Sequence, residues 1–422
     1  MGKAVRKLEV RQEREAAIQL PLAGIIQEKL HEFVVGAGMR ALDELLEQDR
    51  TVLCGERYKH LPGRSAGRAG TADGELTLGG RRVSVRRPRV RTGAGKELEL
   101  PTWRHFSNED PLSRRAVEQM VVGVSTRKYR RSLEDVPAPL KTRGASKSAV
   151  SRRFVAATKA RLDEWAASDL SKLDLSVLMI DGIHFADHVI LVALGIDGEG
   201  AKHVLGFTEG ATENSAACTS LLTALRKRGM TTEKSILAVI DGSGALAKAL
   251  RDVFGSRVLI QRCQVHKKRN VLEHLPATAR DSVGAAISQA YASGDRDRAR
   301  RLLKNLAARL QNDHPGAAGS MLEGLDETLT VMAMKLPKAL ERKLATTNGI
   351  ENLMGTARRV SRRVARWRGG AMILRWVGAS MVEAVRGFRR VQGYQGLKQL
   401  SAVLADNDWK LDETLDKGTV AA

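Results

Sequence analysis

Two short apolar runs each end in Asp-Gly: Met179-Ile180-Asp181-Gly182 and Val239-Ile240-Asp241-Gly242. An acid at the carboxyl end of a buried strand stands where open α/β sheets place their sites. The glycine after it lets the backbone turn away and leaves room for a ligand. Two carboxylates on neighbouring strands repel, and one pKa rises unless a cation neutralises them. Mg²⁺ or Mn²⁺, hard ions that take oxygen ligands, meet that need. A pair of such ions about 3.5–4 Å apart can activate a nucleophile and stabilise the leaving oxygen of an in-line displacement. A lone Asp-Gly after a strand is more simply a turn. Asp197-Gly198 is read that way, and Asp187, which follows a turn, is a weaker candidate. A third acid comes from Thr346-Thr-Asn-Gly-Ile-Glu351-Asn, where Asn348 can cap a helix carrying Glu351 in its first turn. Taken alone, Glu351 is better read as a carboxylate placed favourably at a helix N-terminus, worth under about 1 kcal/mol.

The elements that must position these acids follow from the pattern between them. Ser176–Ile180, His188–Ile196 and Lys202–Phe207 read as three strands in succession. A helix over 215–228, a strand over Ser235–Ile240, a helix over 244–254 and a strand over Arg257–Gln261 come next. Three strands followed by α-β-α-β is the order of a ribonuclease-H-like mixed sheet. Residues 264–343 then read as all helix and separate Asp241 from Glu351. Beyond Glu351 the helical pattern resumes, dense with arginine.

Upstream, residues 21–50 carry Ile25, Ile26, Leu30, Phe33, Val34, Leu42, Leu45 and Leu46 at helical spacing, broken by Gly36 and Gly38. Residues 61–74 are glycine-rich and read as a linker. Glu75–Val85 alternates about Gly79-Gly80, a hairpin signal, and its second strand presents Arg86, Arg87 and Arg89. A helix is expected from Ser125, and another from Ser146 after the Pro137/Pro139 break. That pair resembles a helix-turn-helix whose second helix offers Lys147, Ser148, Ser151 and Arg152 to DNA.

The net charge is +22, and it is unevenly spread. Segment 51–161 holds 25 Lys/Arg against 10 Asp/Glu, and 354–400 holds 11 against one. Segment 162–353 is near neutral, with 24 against 23. Basic flanks around a neutral middle point to a polyanion, for which nucleic acid is the commonest partner. An acidic membrane surface fits less well without an amphipathic anchor. No run of about 18 apolar residues predicts a membrane span. Met1-Gly-Lys-Ala-Val-Arg lacks a signal peptide's apolar stretch. Cys54, Cys218 and Cys263 are odd in number and scattered, which suits a reduced cytoplasmic protein without a disulfide framework.

Cys263-Gln-Val-His266 could open a zinc site, but zinc needs four ligands and no second pair follows. His274 is a poor extra ligand and His314 is distant, so structural zinc is not expected. No Gly-x-x-x-x-Gly-Lys-Ser/Thr loop is present, so no nucleotide cofactor is expected.

These residues, taken together, resemble the Mutator-type transposases of bacterial insertion sequences. The matching segments are the Asp181-Gly strand end, Val239-Ile-Asp-Gly-Ser-Gly, Gln261-Arg-Cys-Gln-Val-His-Lys-Lys-Arg-Asn-Val and Thr347-Asn-Gly-Ile-Glu-Asn. Arg362-Arg-Val-Ala-Arg-Trp-Arg-Gly-Gly and Phe388-Arg-Arg-Val-Gln-Gly-Tyr join them. The resemblance implies a ribonuclease-H-like α/β core interrupted by an all-α insertion, behind a mainly helical, basic DNA-binding region. It implies Asp181, Asp241 and Glu351 as a DDE triad holding divalent metal, Mg²⁺ or Mn²⁺, as two ions. It implies binding to terminal inverted repeats and target DNA, and work as a homodimer or higher oligomer. His266 is then read as lining the site within reach of a phosphate, with a buried structural pair as the alternative. Arg358, Arg359, Arg362, Arg363 and Arg366 are read as one DNA-contacting helix running on from Glu351.

The expected organisation is a helical segment over 1–60, linker and basic hairpin over 61–110, and the helix-turn-helix-like region over 111–170. The catalytic core spans 171–263, the insertion 264–343, and the core's end with the arginine-rich tail 344–422. The expected setting is the bacterial cytoplasm, at the nucleoid. A ribonuclease-H-like nuclease that cuts without joining, and a DNA-binding regulator with an inactive core, are the alternatives.

Overall fold

The structure is a computed structural model that describes residues 33–59, 66–78, 81–108, 111–133, 141–143, 145–210 and 214–406. The chain divides into two compact units, Met1–Ala157 and Thr158–Ala422.

In the first unit, helix α1 covers residues 33–54. It runs unbroken through Gly36 and Gly38, contrary to the expected break, because the apolar residues flanking them share one stripe. Expectations for Ile25, Ile26 and Leu30 lie outside the described residues. Strand β1 (Ala66–Leu78) pairs antiparallel with β2 (Arg81–Thr92), and Leu78 stands opposite Arg81. The Gly79-Gly80 turn itself lies outside the described residues. Residues 66–74, expected as linker, belong to this hairpin; Ala66 and Leu76 join Val85 and Val90 in one core. Cross-strand packing outweighs the weak strand preference of the glycines. Short strands β3 (Glu97–Leu98) and β4 (Thr142–Arg143) pair with β2. Helices α2 (Pro101–Asn108) and α3 (Pro111–Val121) follow β3. The α-helix expected from Ser125 is only a 3₁₀ turn, Tyr129–Ser132. Tyr129 and Leu133 are its buried apolar residues, too few to hold a longer amphipathic stripe. Helix α4 (Lys147–Ala166) forms as expected, with Val150, Phe154 and Thr158 buried along one face. The division between the units falls within it.

The second unit is built on a five-stranded mixed sheet. Its strands are β5 (Leu175–Phe185), β6 (His188–Asp197), β7 (Lys202–Glu209), β8 (Ile236–Ile240) and β9 (Val258–Arg262). The order across the sheet is β7-β6-β5-β8-β9. β5, β6 and β7 are antiparallel neighbours, whereas β8 and β9 run parallel to β5. Helices α5 (Ser215–Lys227) and α6 (Gly244–Phe254) link β7 to β8 and β8 to β9.

Because side chains alternate along a strand, the sheet has two apolar faces. Leu178, Ile180, Ala238 and Ile240 pack with α5 and α6 on one. Val177, Met179, Ile183, Leu237 and Val239 pack on the other. That second face is covered by α13 (Asn348–Ser361), α14 (Gly370–Arg386) and α15 (Leu397–Ala405), which come last in the chain.

Between β9 and α13 lie α7 (Gln264–Glu273), α8 (Ala277–Ala292), α9 (Arg296–Leu310), α10 (Pro315–Leu322), α11 (Thr330–Ala333) and α12 (Lys338–Leu344). The segment is all helix, as expected. It has its own core, running from Val271 to Met332. Val331, Met334, Leu336, Leu340 and Leu344 instead pack under the sheet, so the last helices of the segment serve the sheet's core.

Candidate active site

Asp181 and Asp241 are set side by side by the pairing of two parallel strands. Ile180 stands opposite Ile240, so each aspartate is the next residue along its own strand. By alternation both share a face with Met179 and Val239, the face that α13 covers. The two Asp-Gly steps differ locally. After β8 the chain turns at Gly242, whose φ of +111° suits glycine. The strand does not end at Asp181, contrary to the sequence reading: β5 continues to Phe185, paired with β6 throughout. The apolar alternation through Ile183 and Phe185 keeps it in the sheet. Asp181 accepts a hydrogen bond from the Gly182 N–H at 2.8 Å, and Asp241 from the Ser243 N–H at 3.1 Å.

Helix α13 brings Glu351 to this face. A Cβ on Gly349 would lie 3.1 Å from Met179 Sδ, so the helix start packs closely against β5. The charges of Asp241 and Glu351 both act on Asp181. His266, in the first turn of α7, places Nε2 3.4 Å from Glu351 Oε1. Cys263, at the end of β9, is buried and accepts from the Thr347 N–H at 3.4 Å. The Cys-x-x-His pair therefore faces α13 rather than a second ligand pair. Among the described residues no three His, Cys, Asp or Glu side chains are grouped as a ready-made metal cage.

Burial pushes the Asp181 carboxyl up to about 6; the Gly182 N–H opposes this, and the Asp241 charge adds to it. Contact with the Cys263 thiol raises His266 above the usual imidazole range. Burial pushes the Cys263 thiol up, but hydrogen bonds with His266 and Thr347 outweigh it and bring it below its ordinary value.

The raised Asp181 carboxyl makes a stability prediction. In chelator, the folded protein holds the Asp181 proton more tightly than the unfolded chain does. Stability is therefore retained below the unfolded value near 4 and lost as pH rises toward about 6. Asp181→Asn removes that loss. Urea unfolding in EDTA should find the variant more stable than the parent at pH 7, by up to about 3 kcal/mol. Near pH 4 the two should coincide. A variant less stable at pH 7 would show that the buried charge is not what strains this position.

The expected DNA-contacting residues divide into free and engaged groups. Lys147, Ser148, Ser151 and Arg152 are all exposed on one side of α4. Arg86 is exposed on β2. Arg87 and Arg89 are instead tied to Glu97, at 3.1 and 2.6 Å, and Arg87 also stacks over Trp103. Glu97 is the neutralising partner that the charge count on β2 alone does not show. Arg358, Arg359, Arg362, Arg363 and Arg366 are exposed, but they do not share one helix. α13 ends at Ser361, and residues 364–369 form an irregular loop before α14. Trp367 pins that loop by packing edge-on against Phe185, at 5.3 Å between ring centres. Four arginines and a glycine pair over 362–370 deprive the segment of a continuing apolar stripe, and so the helix stops. Asp197 is the turn residue expected of it, accepting from the Glu199 and Ala201 N–H groups at 2.9 Å each. Asp187 lies at the exposed β5–β6 turn.

Sequence reasoning missed the residues that fasten this site to the helical segment between β9 and α13. Gln261 accepts from the Val331 N–H at 2.8 Å and donates to the Thr328 carbonyl at 2.9 Å. Arg262 pairs with Glu327 and, at 2.9 Å, with Glu323. Lys267, buried, donates to the carbonyls of Ser320 and Glu323 at 2.7 Å each. The density of polar residues at the buried end of an apolar strand was the available signal, since such groups need partners.

Fold and site together define a mixed α/β protein with two aspartates on one sheet face, a helical segment between β9 and α13, and basic flanks. Residues 13–390 match the family described as "Transposase, Mutator family", and the chain belongs to that family. It is 35% identical over 200 residues to the transposase for insertion sequence element IS6120 of Mycolicibacterium smegmatis, covering 46% of this chain and 60% of that protein. It is 30% identical over 318 residues to the transposase for insertion sequence element ISRM5 of Rhizobium meliloti, covering 69% and 76%. It is 27% identical over 335 residues to the transposase for insertion sequence element IS256 in transposon Tn4001 of Staphylococcus aureus, covering 75% and 81%. No helix among the described residues is long and apolar enough to cross a membrane.

Proposed function

We propose that this chain is a DDE transposase that cuts DNA at the terminal inverted repeats of its own element and joins the ends to target DNA. One observation carries the reading: the parallel register that sets Asp181 beside Asp241, on the sheet face where α13 presents Glu351. The strand order β7-β6-β5-β8-β9 supports a ribonuclease-H-like core with the helical segment as an insertion. The relatives' names, transposases for insertion sequence elements, favour joining over cutting alone.

The donor set suits a hard divalent cation. It is three carboxylates, and one of them, Asp181, is pushed up by burial and by the charges of the other two. Asp181, Asp241 and Glu351 would hold Mg²⁺ or Mn²⁺, as two ions, which supply Lewis acidity for nucleophile and leaving oxygen when bound. The chain's own residues do the rest. Strands β5 and β8 fix two carboxylates, and His266 holds the third. The exposed arginines of α13 and of the loop after it offer phosphate contacts beside this face. Arg86 and the exposed face of α4 offer further phosphate contacts in the first unit. Water attacks a phosphodiester and frees a 3′-hydroxyl; that hydroxyl then attacks a target phosphodiester, displacing an alcohol oxygen. One ester is exchanged for another, so no nucleotide is consumed.

The test is to incubate the full chain with the DNA flanking its own gene and Mg²⁺, then map nicks and joined products. Nicks at the inverted repeats with covalent joining to a second DNA are expected. Cutting without joining would establish the nuclease alternative, and binding without cutting the regulator.

A further inference from the structure

We propose that Thr347 is a positioning residue for Glu351, its buried hydroxyl joining that carboxylate to Cys263 and His266 as one unit. The inference rests on the DDE reading above.

Thr347 sits at the N-cap of α13, where a threonine hydroxyl ordinarily accepts a hydrogen bond from its own helix's first turn. Here it makes no such cap. Its residue is fully buried, and the hydroxyl meets three other groups: Cys263 Sγ at 3.3 Å, His266 Nδ1 at 3.4 Å and Glu351 Oε1 at 3.4 Å. A hydroxyl carries one hydrogen and two lone pairs. It can accept from the imidazole N–H while donating to the carboxylate or to the sulfur. His266 also reaches Glu351 Oε1 through Nε2. Glu351 is thus approached at one oxygen from two directions, which narrows its rotation.

The same cluster ties Glu351 to the strand bearing Asp241. The Cys263 N–H donates to the Ile240 carbonyl at 2.7 Å, one residue before Asp241. The Gln264 N–H donates to the Ala345 carbonyl at 3.0 Å, on the approach to α13. Thr347 closes this circuit. Without its hydroxyl the imidazole loses an acceptor and the carboxylate a donor, while every backbone link remains. The expected consequence is a carboxylate set assembled less often in the geometry that takes a cation.

The experiment compares full-length Thr347→Val, Thr347→Ser and Asp181→Asn with the parent. Single-turnover end cleavage is measured at saturating DNA, end affinity in Ca²⁺, and Mn²⁺ binding by calorimetry without DNA. Thr347→Val should cleave about 10–100-fold more slowly and bind Mn²⁺ more weakly, since losing a ligand's outer partner typically has that effect. Its affinity for DNA should match the parent's. Thr347→Ser, which keeps the hydroxyl, should recover to within a few-fold. Thr347→Ala repeats the test without a branched side chain, so a failure of the valine variant to fold leaves the outcome readable. Parent-like cleavage and Mn²⁺ binding by the hydroxyl-free variants, with Asp181→Asn inert, would overturn the proposal. So would a serine variant as poor as valine. Cleavage by Asp181→Asn would instead overturn the reading of the site on which the proposal rests.

Discussion

Asp181→Asn should reduce both nicking and strand transfer by at least about 1,000-fold while leaving binding to the element's ends intact. The side chain keeps its size and can still accept the Gly182 N–H, so the local backbone should hold. What disappears is a negative charge at the point where phosphoryl charge develops, and groups at such points carry effects of about 100- to 1,000-fold or more. Affinity for DNA should persist because, on the proposed reading, it comes from the exposed cations of α4 and the arginine-rich segment. Asp241→Asn should behave alike, given its place beside Asp181 in the parallel register. Glu351→Gln is the discriminating member of the set. Footprinting with labelled ends, alongside gel assays in Mg²⁺, reads binding and chemistry separately. Ca²⁺ should support the first and little of the second. Should Glu351→Gln cut normally while both aspartate variants are inert, the third carboxylate lies elsewhere on the face under α13.

The largest effect on stability is expected at Arg262. Its guanidinium is nearly buried and is shared between Glu327, also largely buried, and the exposed Glu323. Removing one partner of a buried pair leaves the other charge desolvated and unmatched, which costs about 3–5 kcal/mol. The exposed Glu323 contributes little to that figure. Arg251 also reaches Glu327 and should soften the loss, so Arg262→Ala is expected near the lower end, about 3 kcal/mol. Urea midpoints measure it. Adding Glu327→Gln should recover part of the loss, because the stranded charge is then gone. A loss below about 1 kcal/mol, with no recovery in the double variant, would mean that Arg262 does not fasten the insertion to the sheet.

Much of the second unit was legible in the chain because buried strands write themselves as unbroken apolar runs. All five strands of the mixed sheet were placed from such runs, and the alternation along β5 and β8 is what sets both aspartates on one face. Most of the errors share a cause, in that the deciding partner lay outside the short segment being read. Gly182 looked like a strand terminator, but pairing with Leu191 on β6 carries the strand through it. Residues 66–74 looked like linker until opposed by β2. Arg87 and Arg89 looked free until Glu97 closed on them from β3. Ser125 promised a helix that, among the described residues, had only Tyr129 and Leu133 to bury. Thr347 read as part of a motif, and only the fold brings Cys263 and His266 to its hydroxyl.

The long helical interruption between β9 and α13 has a consequence for synthesis. The ribosome delivers Asp181 and Asp241 first, and Glu351 only 110 residues after Asp241. At about 5–20 residues per second that gap lasts on the order of ten seconds. During it the nascent chain carries two acids of the set without the third, and the sheet face that α13 will cover is still bare. A chain abandoned anywhere in the insertion keeps the whole basic N-terminal unit yet never acquires Glu351. On the proposed reading, broken translation products would hold the DNA-binding cations without the third acid and compete with the finished protein for its DNA.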